Sequence, residues 1–260
     1  MGQGRLTGRR VLVMGASAGI GRVVAQRLCA AGAHVGFAAR RKDVCEEAAG
    51  EVSGTAVALT CDVTDEAQCE QVVADAVAQL GGLDDVVFST GAISLVALDS
   101  ADASWWRTTF ETNVMGAALL TRYALPHVKE GLGSFVYLSS ISSIGAVWPG
   151  LGVYTATKAA LNRMVETWRI EHPEVGFVRI FVGPTDKAGT GTNLDPTALE
   201  QMARWVDLGV ASGAMDQPEA IADAVELVLA SDARIADVTV VPKDPPLPWA
   251  GVPTGELPVP

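Results

Sequence analysis

Val11 to Met14 form a short apolar run that passes directly into Gly15-Ala16-Ser17-Ala18-Gly19-Ile20-Gly21, after which the apolar spacing lengthens to that of a helix. A strand, a glycine-rich turn and a helix in that order admit few folds. The glycines differ in what they permit. Gly15 allows the tight turn out of the strand, Gly19 lets the backbone approach a pyrophosphate, and Gly21 lets the helix pack closely on the sheet. The amides and the positive dipole end of that helix favour a bound phosphate. Gly15, Ser17, Ala18, Gly19, Ile20 and Gly21 are therefore the candidate dinucleotide cradle.

The rest of the chain repeats the alternation. Short runs rich in Val, Leu and Phe read as strands buried on both faces at Val11–Met14, His34–Ala38, Thr55–Leu59, Val86–Ser89, Ser134–Ser139, Val175–Val182 and Val238–Val241. Helical spacing occupies Gly19–Ala31, Asp65–Leu80, Ala103–Val128, Tyr154–Glu171 and Pro218–Ala230. Asp65 is placed to cap the second of these, and Gly32 and Gly81 follow helix ends where a left-handed residue is favoured. The expectation is one α/β domain over residues 1–241, a doubly wound parallel sheet of about seven strands flanked by helices on both faces. Two segments break the pattern. Residues 184–210 read as an irregular lid, and residues 242–260, with seven prolines, as an extended tail.

Composition removes several classes of function. The net charge of −11 argues against a nucleic-acid partner, which requires a basic surface. With 49% hydrophobic and 19% charged residues the chain is globular rather than disordered. No run of eighteen apolar residues occurs and the first residues carry no secretory pattern, so a cytoplasmic protein without a membrane partner is expected. Cys29, Cys45, Cys61 and Cys69 form no C-x-x-C pair and read as reduced, partly buried thiols. His34, His127 and His172 are scattered and make no metal site.

The second strand ends in Ala38-Ala39-Arg40-Arg41, about twenty residues beyond the glycines. An acidic residue there would hold the ribose 2′-hydroxyl of NAD; a small residue followed by guanidinium groups suits a 2′-phosphate. Arg40 and Arg41 thus favour NADP(H) over NAD(H).

Tyr154 and Lys158 lie four apart at the start of a helix and face the same side. A phenol with a pKa near about 10 is a poor acid/base at neutral pH, and an adjacent ammonium draws it toward the working range. Hydroxyls in Ser139-Ser140-Ile141-Ser142-Ser143, at the end of the fifth strand, are available to hold a carbonyl oxygen.

Together these pieces resemble the short-chain dehydrogenase/reductase family, in its branch of roughly 250 residues. The resemblance runs to about Val241. It rests on Gly15-x-x-x-Gly19-Ile20-Gly21, Cys61-Asp62-Val63, Asn113-Val114-Met115-Gly116, Ser139-Ser140 and Tyr154-x-x-x-Lys158, in that order. It implies a Rossmann-type fold and an oxidoreductase that interconverts a carbonyl and a secondary alcohol. Tyr154 would exchange the substrate proton, and Lys158 would hold the nicotinamide ribose and lower the phenol's pKa. Ser140 would orient the carbonyl, and Asn113 would support a proton-relay water through its helix. Asp62 and Val63 would meet the adenine, and Gly91 and Pro184 would complete the cofactor set.

Three departures stand out. Met14 replaces the usual Thr, Ser89-Thr90-Gly91-Ala92 replaces Asn-Asn-Ala-Gly, and Pro184-Thr185 replaces Pro-Gly. The serine register admits two choices. Ser140 is one residue farther from Tyr154 than usual and Ser142 one nearer; Ser140 is preferred because a strand end is fixed more firmly than the loop beyond it.

Ile93, Leu95, Trp148, Leu151, Met202 and Trp205 are available either to line an apolar substrate pocket or simply to bury the lid. A bulky apolar ketone or secondary alcohol is the expected partner. The alternative is a non-catalytic NADP(H)-binding regulator on the same fold. The resemblance also implies a homotetramer or homodimer; as a separate expectation, the tail residues Trp249, Val252, Leu257 and Val259 are available to cross to a neighbouring subunit.

Overall fold

The structure, a computed structural model, describes residues 6–130, 133–145, 147–186, 196–208 and 214–243; of 129, 130, 196–199, 201 and 202 it describes the backbone alone. Its centre is a parallel sheet of β1 (Arg10–Met14), β2 (His34–Ala39), β3 (Ala56–Thr60), β4 (Asp85–Phe88), β5 (Ser134–Ser140), β6 (Gly176–Val182) and β7 (Asp237–Val240). The order is β3-β2-β1-β4-β5-β6-β7. Every pairing is parallel. The expected α/β, doubly wound sheet is therefore present. Its chain reverses winding between β1 and β4, and the crevice beyond the strand ends at such a switch point is where ligands bind in open α/β sheets.

The helices are α1 (Gly19–Ala30), α2 (Lys42–Gly50), α3 (Glu66–Leu80), α4 (Ala103–Phe110), α5 (Gly116–Glu130), α6 (Gly152–Glu171), α7 (Pro196–Asp207) and α8 (Pro218–Leu229). Successive strand residues point to opposite faces and fill two separate cores. Val11, Val13, Val35, Phe37, Val136 and Ile180 pack with buried residues of α1, α2 and α8. Leu12, Met14, Val86, Phe88, Phe135 and Tyr137 pack with α3, α5 and α6. Met14, one of the departures noted above, is thus a buried core residue rather than part of the cradle.

The caps behave as expected. Asp65 accepts from the amides of Ala67 and Gln68, and Gly81 ends α3 at φ +78°. Gly32 follows α1 at φ +95°.

Three readings need correction. The single helix expected over Ala103–Val128 is broken: α4 passes into a wide π-type turn at Glu111–Met115, where the Gly116 amide donates to the Glu111 carbonyl five residues back. Such turns interrupt helices where a tertiary demand outweighs regular bonding. The second is α2, which carries few apolar residues and whose N-cap, Arg41, makes no side-chain cap. The third is α7, inside the segment read as irregular; its Pro196 start is the usual place for proline in a helix.

At the N-terminal edge of the sheet, Arg9 binds Asp85 at 2.7 Å and Arg10 binds Asp84 at 2.5 Å. Asp85 also accepts the Ser134 amide at 2.8 Å, tying β4 to β5. All four cysteines are free and buried. Burial pushes the Cys29 and Cys45 thiols up to about 11. No helix among the described residues is long and apolar enough to cross a membrane. Residues 244–260 lie outside the described residues, and with them the expected extended tail.

Candidate active site

At the end of β1 the chain turns through Gly15 at φ +89° and Gly19 at φ +57°. A Cβ on Gly15 would lie 3.0 Å from the Thr90 amide nitrogen. Gly21 is tighter: its Cβ would stand 2.3 Å from the Gly15 carbonyl oxygen. The turn therefore accepts no side chain at either place, and its backbone is open to a ligand. No side chain caps the N-terminus of α1, and its first turn contains no acid. A dinucleotide pyrophosphate fits this cradle, because uncapped helix amides favour an anion.

Arg40 and Arg41 follow the last residue of β2, Ala39, and are exposed. Arg41 Nη2 donates to Ser17 Oγ at 3.4 Å, so one guanidinium stands over the glycine turn. After β3, Asp62 Oδ1 accepts from both the amide and the hydroxyl of Thr64, at 3.0 and 2.8 Å. Val63 is buried against Gly116, whose Cβ would meet Val63 Cγ2 at 2.8 Å. Pro184 lies beyond β6, its carbonyl accepting the Asp216 amide at 2.8 Å.

Four candidate side chains converge at the switch-point end of the sheet. Tyr154 and Lys158 stand one turn apart on α6, with Lys158 Nζ 5.7 Å from the centroid of the Tyr154 ring. Lys158 is 3% exposed and donates to the Leu138 carbonyl at 2.8 Å. Ser140 ends β5, where its hydroxyl lies 3.0 Å from that of Ser142 and accepts the Ser142 amide at 3.2 Å. Burial raises the Tyr154 phenol to about 12, and the Ser140 hydroxyl acts in the opposite direction. Burial lowers the Lys158 ammonium to about 8. The phenol is thus not drawn toward neutrality as the sequence leads one to expect. The cost of desolvating the phenolate outweighs the opposing Ser140 hydroxyl.

Asn113 is fully buried at the centre of the π-type turn. Its Oδ1 accepts the Ala92 amide at 2.7 Å, and its Nδ2 donates to the Ala92 carbonyl at 2.9 Å and to Thr157 Oγ1 at 2.9 Å. One side chain thus pins the loop after β4 to α6. That loop carries Gly91, where a Cβ would lie 3.6 Å from both Asn113 Oδ1 and Lys158 Nζ.

Two residues join the site that the sequence did not single out. Thr157 receives the Asn113 amide, and Asn162 bonds Ser139 and Ser143 on either side of Ser140. The available signal was spacing, since Tyr154, Lys158 and Asn162 recur every four residues along one helix face.

The apolar candidates divide. Trp148, Leu151 and Trp205 bury one another with Ile141 and Phe181, and Leu95 and Tyr154 pack against this cluster. The two indoles meet edge-on at 5.1 Å, and Trp205 Nε1 donates to the Pro149 carbonyl at 2.8 Å. These residues seat α7 beside Tyr154. Ile93 is 45% exposed. The Met202 side chain lies outside the described residues.

Comparison with known proteins agrees with this geometry. The family model for short chain dehydrogenase matches residues 9–197. The chain is 31% identical over 234 residues to an uncharacterized oxidoreductase of Methylorubrum extorquens, covering 88% of this chain and 94% of that protein. It is also 31% identical over 254 residues to glycine betaine reductase ATRR of Emericella nidulans; the match covers 94% of this chain but spans only 19% of that longer protein. Among solved structures, a short-chain type dehydrogenase/reductase from Mycobacterium marinum superposes with a TM-score of 0.81 at 25% identity, covering 91% of this chain and 95% of that one. A glycine cradle at the switch point, a Tyr-Lys pair beside a strand-end serine and a family match over most of the sequence lead to one conclusion: the chain belongs to the short-chain dehydrogenase family.

Proposed function

We propose that the protein is an NADP(H)-dependent oxidoreductase that interconverts an apolar ketone and its secondary alcohol. The observation that carries this reading is the convergence of Ser140, Tyr154 and Lys158 at the switch point, beside a turn whose glycines admit no side chain.

When bound, the nicotinamide supplies or accepts the hydride at the substrate carbon. The rest is work for the chain's own residues. Gly15, Ser17, Ala18, Gly19, Ile20 and Gly21 hold the pyrophosphate on the α1 amides. Arg40 and Arg41 flank a 2′-phosphate, Asp62 and Val63 border the adenine, and Gly91 and Pro184 line the nicotinamide end. The Ser140 hydroxyl donates to the substrate oxygen and holds it at Tyr154 Oη. In reduction, Tyr154 gives its proton to that oxygen as the carbonyl carbon gains the hydride, and the Lys158 ammonium stabilises the phenolate left behind. Asn113 keeps the loop after β4 at the required distance from Lys158. The proton returns to Tyr154 from solvent.

Ser140 is preferred over Ser142 because it is the hydroxyl that acts on the Tyr154 phenol. The apolar seat around Tyr154 favours an uncharged substrate. A soluble cytoplasmic homodimer or homotetramer belongs to the same proposal.

Titration with NADPH and NADH at one salt concentration, followed by nicotinamide fluorescence, tests the cofactor assignment. Tighter NADPH binding, weakened selectively by Arg41→Ala and Arg40→Ala, is expected. Equal affinity for the two, unmoved by either substitution, would return both arginines to the surface. A screen of apolar ketones with NADPH then tests the activity, and turnover confined to carboxylate substrates would overturn the apolar reading.

A further inference from the structure

We infer that Asn162 is a positioning residue that clamps the serine loop and so sets where the Ser140 hydroxyl meets Tyr154. The inference deepens the proposed reaction and rests on Ser140 being its serine.

Asn162 lies on α6, two turns beyond Tyr154 and one beyond Lys158, and is 7% exposed. Its amide is spent on the two residues that bracket Ser140. Ser139 Oγ donates to Asn162 Oδ1 at 2.7 Å, and Asn162 Nδ2 donates to Ser143 Oγ at 2.8 Å. Ser143 Oγ in turn donates to the Ser140 carbonyl at 2.6 Å. Ser143 Oγ also lies 3.4 Å from Ser139 Oγ, a longer contact in which either hydroxyl can donate. With Nδ2 occupying an acceptor position of the Ser143 hydroxyl, the nearer acceptor for that hydroxyl's proton is the Ser140 carbonyl. Ser140 is thereby held from before, through Ser139, and from behind, through Ser143.

The clamp is itself anchored. Arg179 Nη1 donates to the Asn162 carbonyl at 3.3 Å and to Glu166 Oε1 at 2.8 Å, while Arg179 Nε and Nη2 bind the two Asp237 oxygens at 2.7 and 2.8 Å. The helix turn bearing Asn162 is thus tied to β6 and β7. Tyr154, Lys158 and Asn162 form one stripe along α6: the first two face the chemistry and the third fixes the strand end opposite them. Only an amide suits the position, since it needs one acceptor and one donor on the same planar group.

The test is a double-mutant cycle on kcat with the best ketone found. Asn162→Ala is expected to lower kcat roughly ten- to a hundredfold, the usual range for a small misplacement of a reacting group, with NADPH affinity unchanged. Asn162→Asp keeps the acceptor but loses the donor, and Ser143→Ala cuts the same link from the loop side; both are expected to fall in the same direction. In a Ser140→Ala background Asn162→Ala should cost nothing further, because the hydroxyl it positions is gone. The Tyr154 limb of the kcat profile should also move to higher pH in Asn162→Ala, the direction expected when the Ser140 hydroxyl stops acting on the phenol. A residue that merely supports the fold would lower kcat in both backgrounds by the same factor and leave the limb in place, which would overturn the clamp. If Ser140→Ala alone leaves kcat intact, the serine assignment fails instead, and that outcome is distinct. Should Asn162→Ala not fold, Asn162→Asp and Ser143→Ala carry the same cycle.

Discussion

Lys158→Met is expected to stabilise the empty protein while abolishing turnover. The ammonium is 3% exposed, and its one described hydrogen-bond acceptor is the Leu138 carbonyl. Burial lowers its pKa from 10.5 to about 8. At about 1.4 kcal/mol per unit of pH, keeping it charged in the folded state costs about 3 kcal/mol at neutrality. The sign follows from proton binding. Between about 8 and 10.5 the unfolded chain binds more protons at this lysine than the folded one, so wild-type stability gains from this group as pH rises through that window. Below the window the penalty is complete. Methionine of similar length removes the charge and forfeits one hydrogen bond worth about 1 kcal/mol, for a net gain of about 2 kcal/mol. For a chain of this size that is about 5 °C in melting temperature at pH 7. Thermal melts of both proteins, without cofactor, at pH 7 and pH 9.5 make the comparison. The variant's advantage should be full at pH 7 and mostly gone at pH 9.5. A variant that melts below wild type at pH 7, or an advantage equal at both pH values, would refute burial as the origin of the shift.

Two further predictions concern the cradle and the lid. Gly21→Ala introduces a methyl 2.3 Å from the Gly15 carbonyl, where about 3.4 Å is ordinary contact, so the turn must yield by about 1 Å. Alanine's helix propensity offsets only about 1 kcal/mol of this backbone strain, so the melting temperature should fall by a few degrees while NADPH affinity, read by fluorescence titration, falls at least tenfold. Unchanged affinity would mean that the turn does not contact the cofactor. Trp205→Phe loses the bond to the Pro149 carbonyl and part of the edge-on contact with Trp148. Hydrogen exchange over α7 should quicken and the ketone KM rise severalfold with global stability nearly constant; an unmoved KM would separate α7 from the substrate.

Much of this arrangement is readable before any coordinates. β1, the glycine turn and α1 announce themselves because glycine placement and a change of apolar period coincide. Tyr154 and Lys158 are legible because a four-residue spacing is a geometric statement about a helix. What escapes has physical reasons. The π-type turn at Glu111–Met115 is invisible because helical apolar spacing runs through it. The turn satisfies Asn113's bonds to Ala92, a tertiary demand that local pattern does not carry. α2 escapes because its N-cap, Arg41, is not a capping residue type and makes no side-chain bond to the helix amides. α7 is masked by nearby glycines that outweigh Pro196 as a helix start. The four-residue spacing puts Asn162 on the face of Tyr154 and Lys158 but names no partner for it; only the loop folded over it reveals the two serines. The phenol's raised pKa depends on desolvation, which no spacing reports.

The burial of all four cysteines makes the native chain a quiet background for chemical labelling. Thiolate is the reactive form; Cys29 and Cys45, held near 11, present almost none of it at neutral pH, and Cys61 and Cys69, packed against one another, are buried away from a maleimide. A single cysteine introduced at an exposed position of α7, such as Arg204, would therefore carry a fluorophore or spin label with no need to delete the native thiols first. The movement of that helix against the sheet is then open to direct distance measurement in an otherwise unmodified protein.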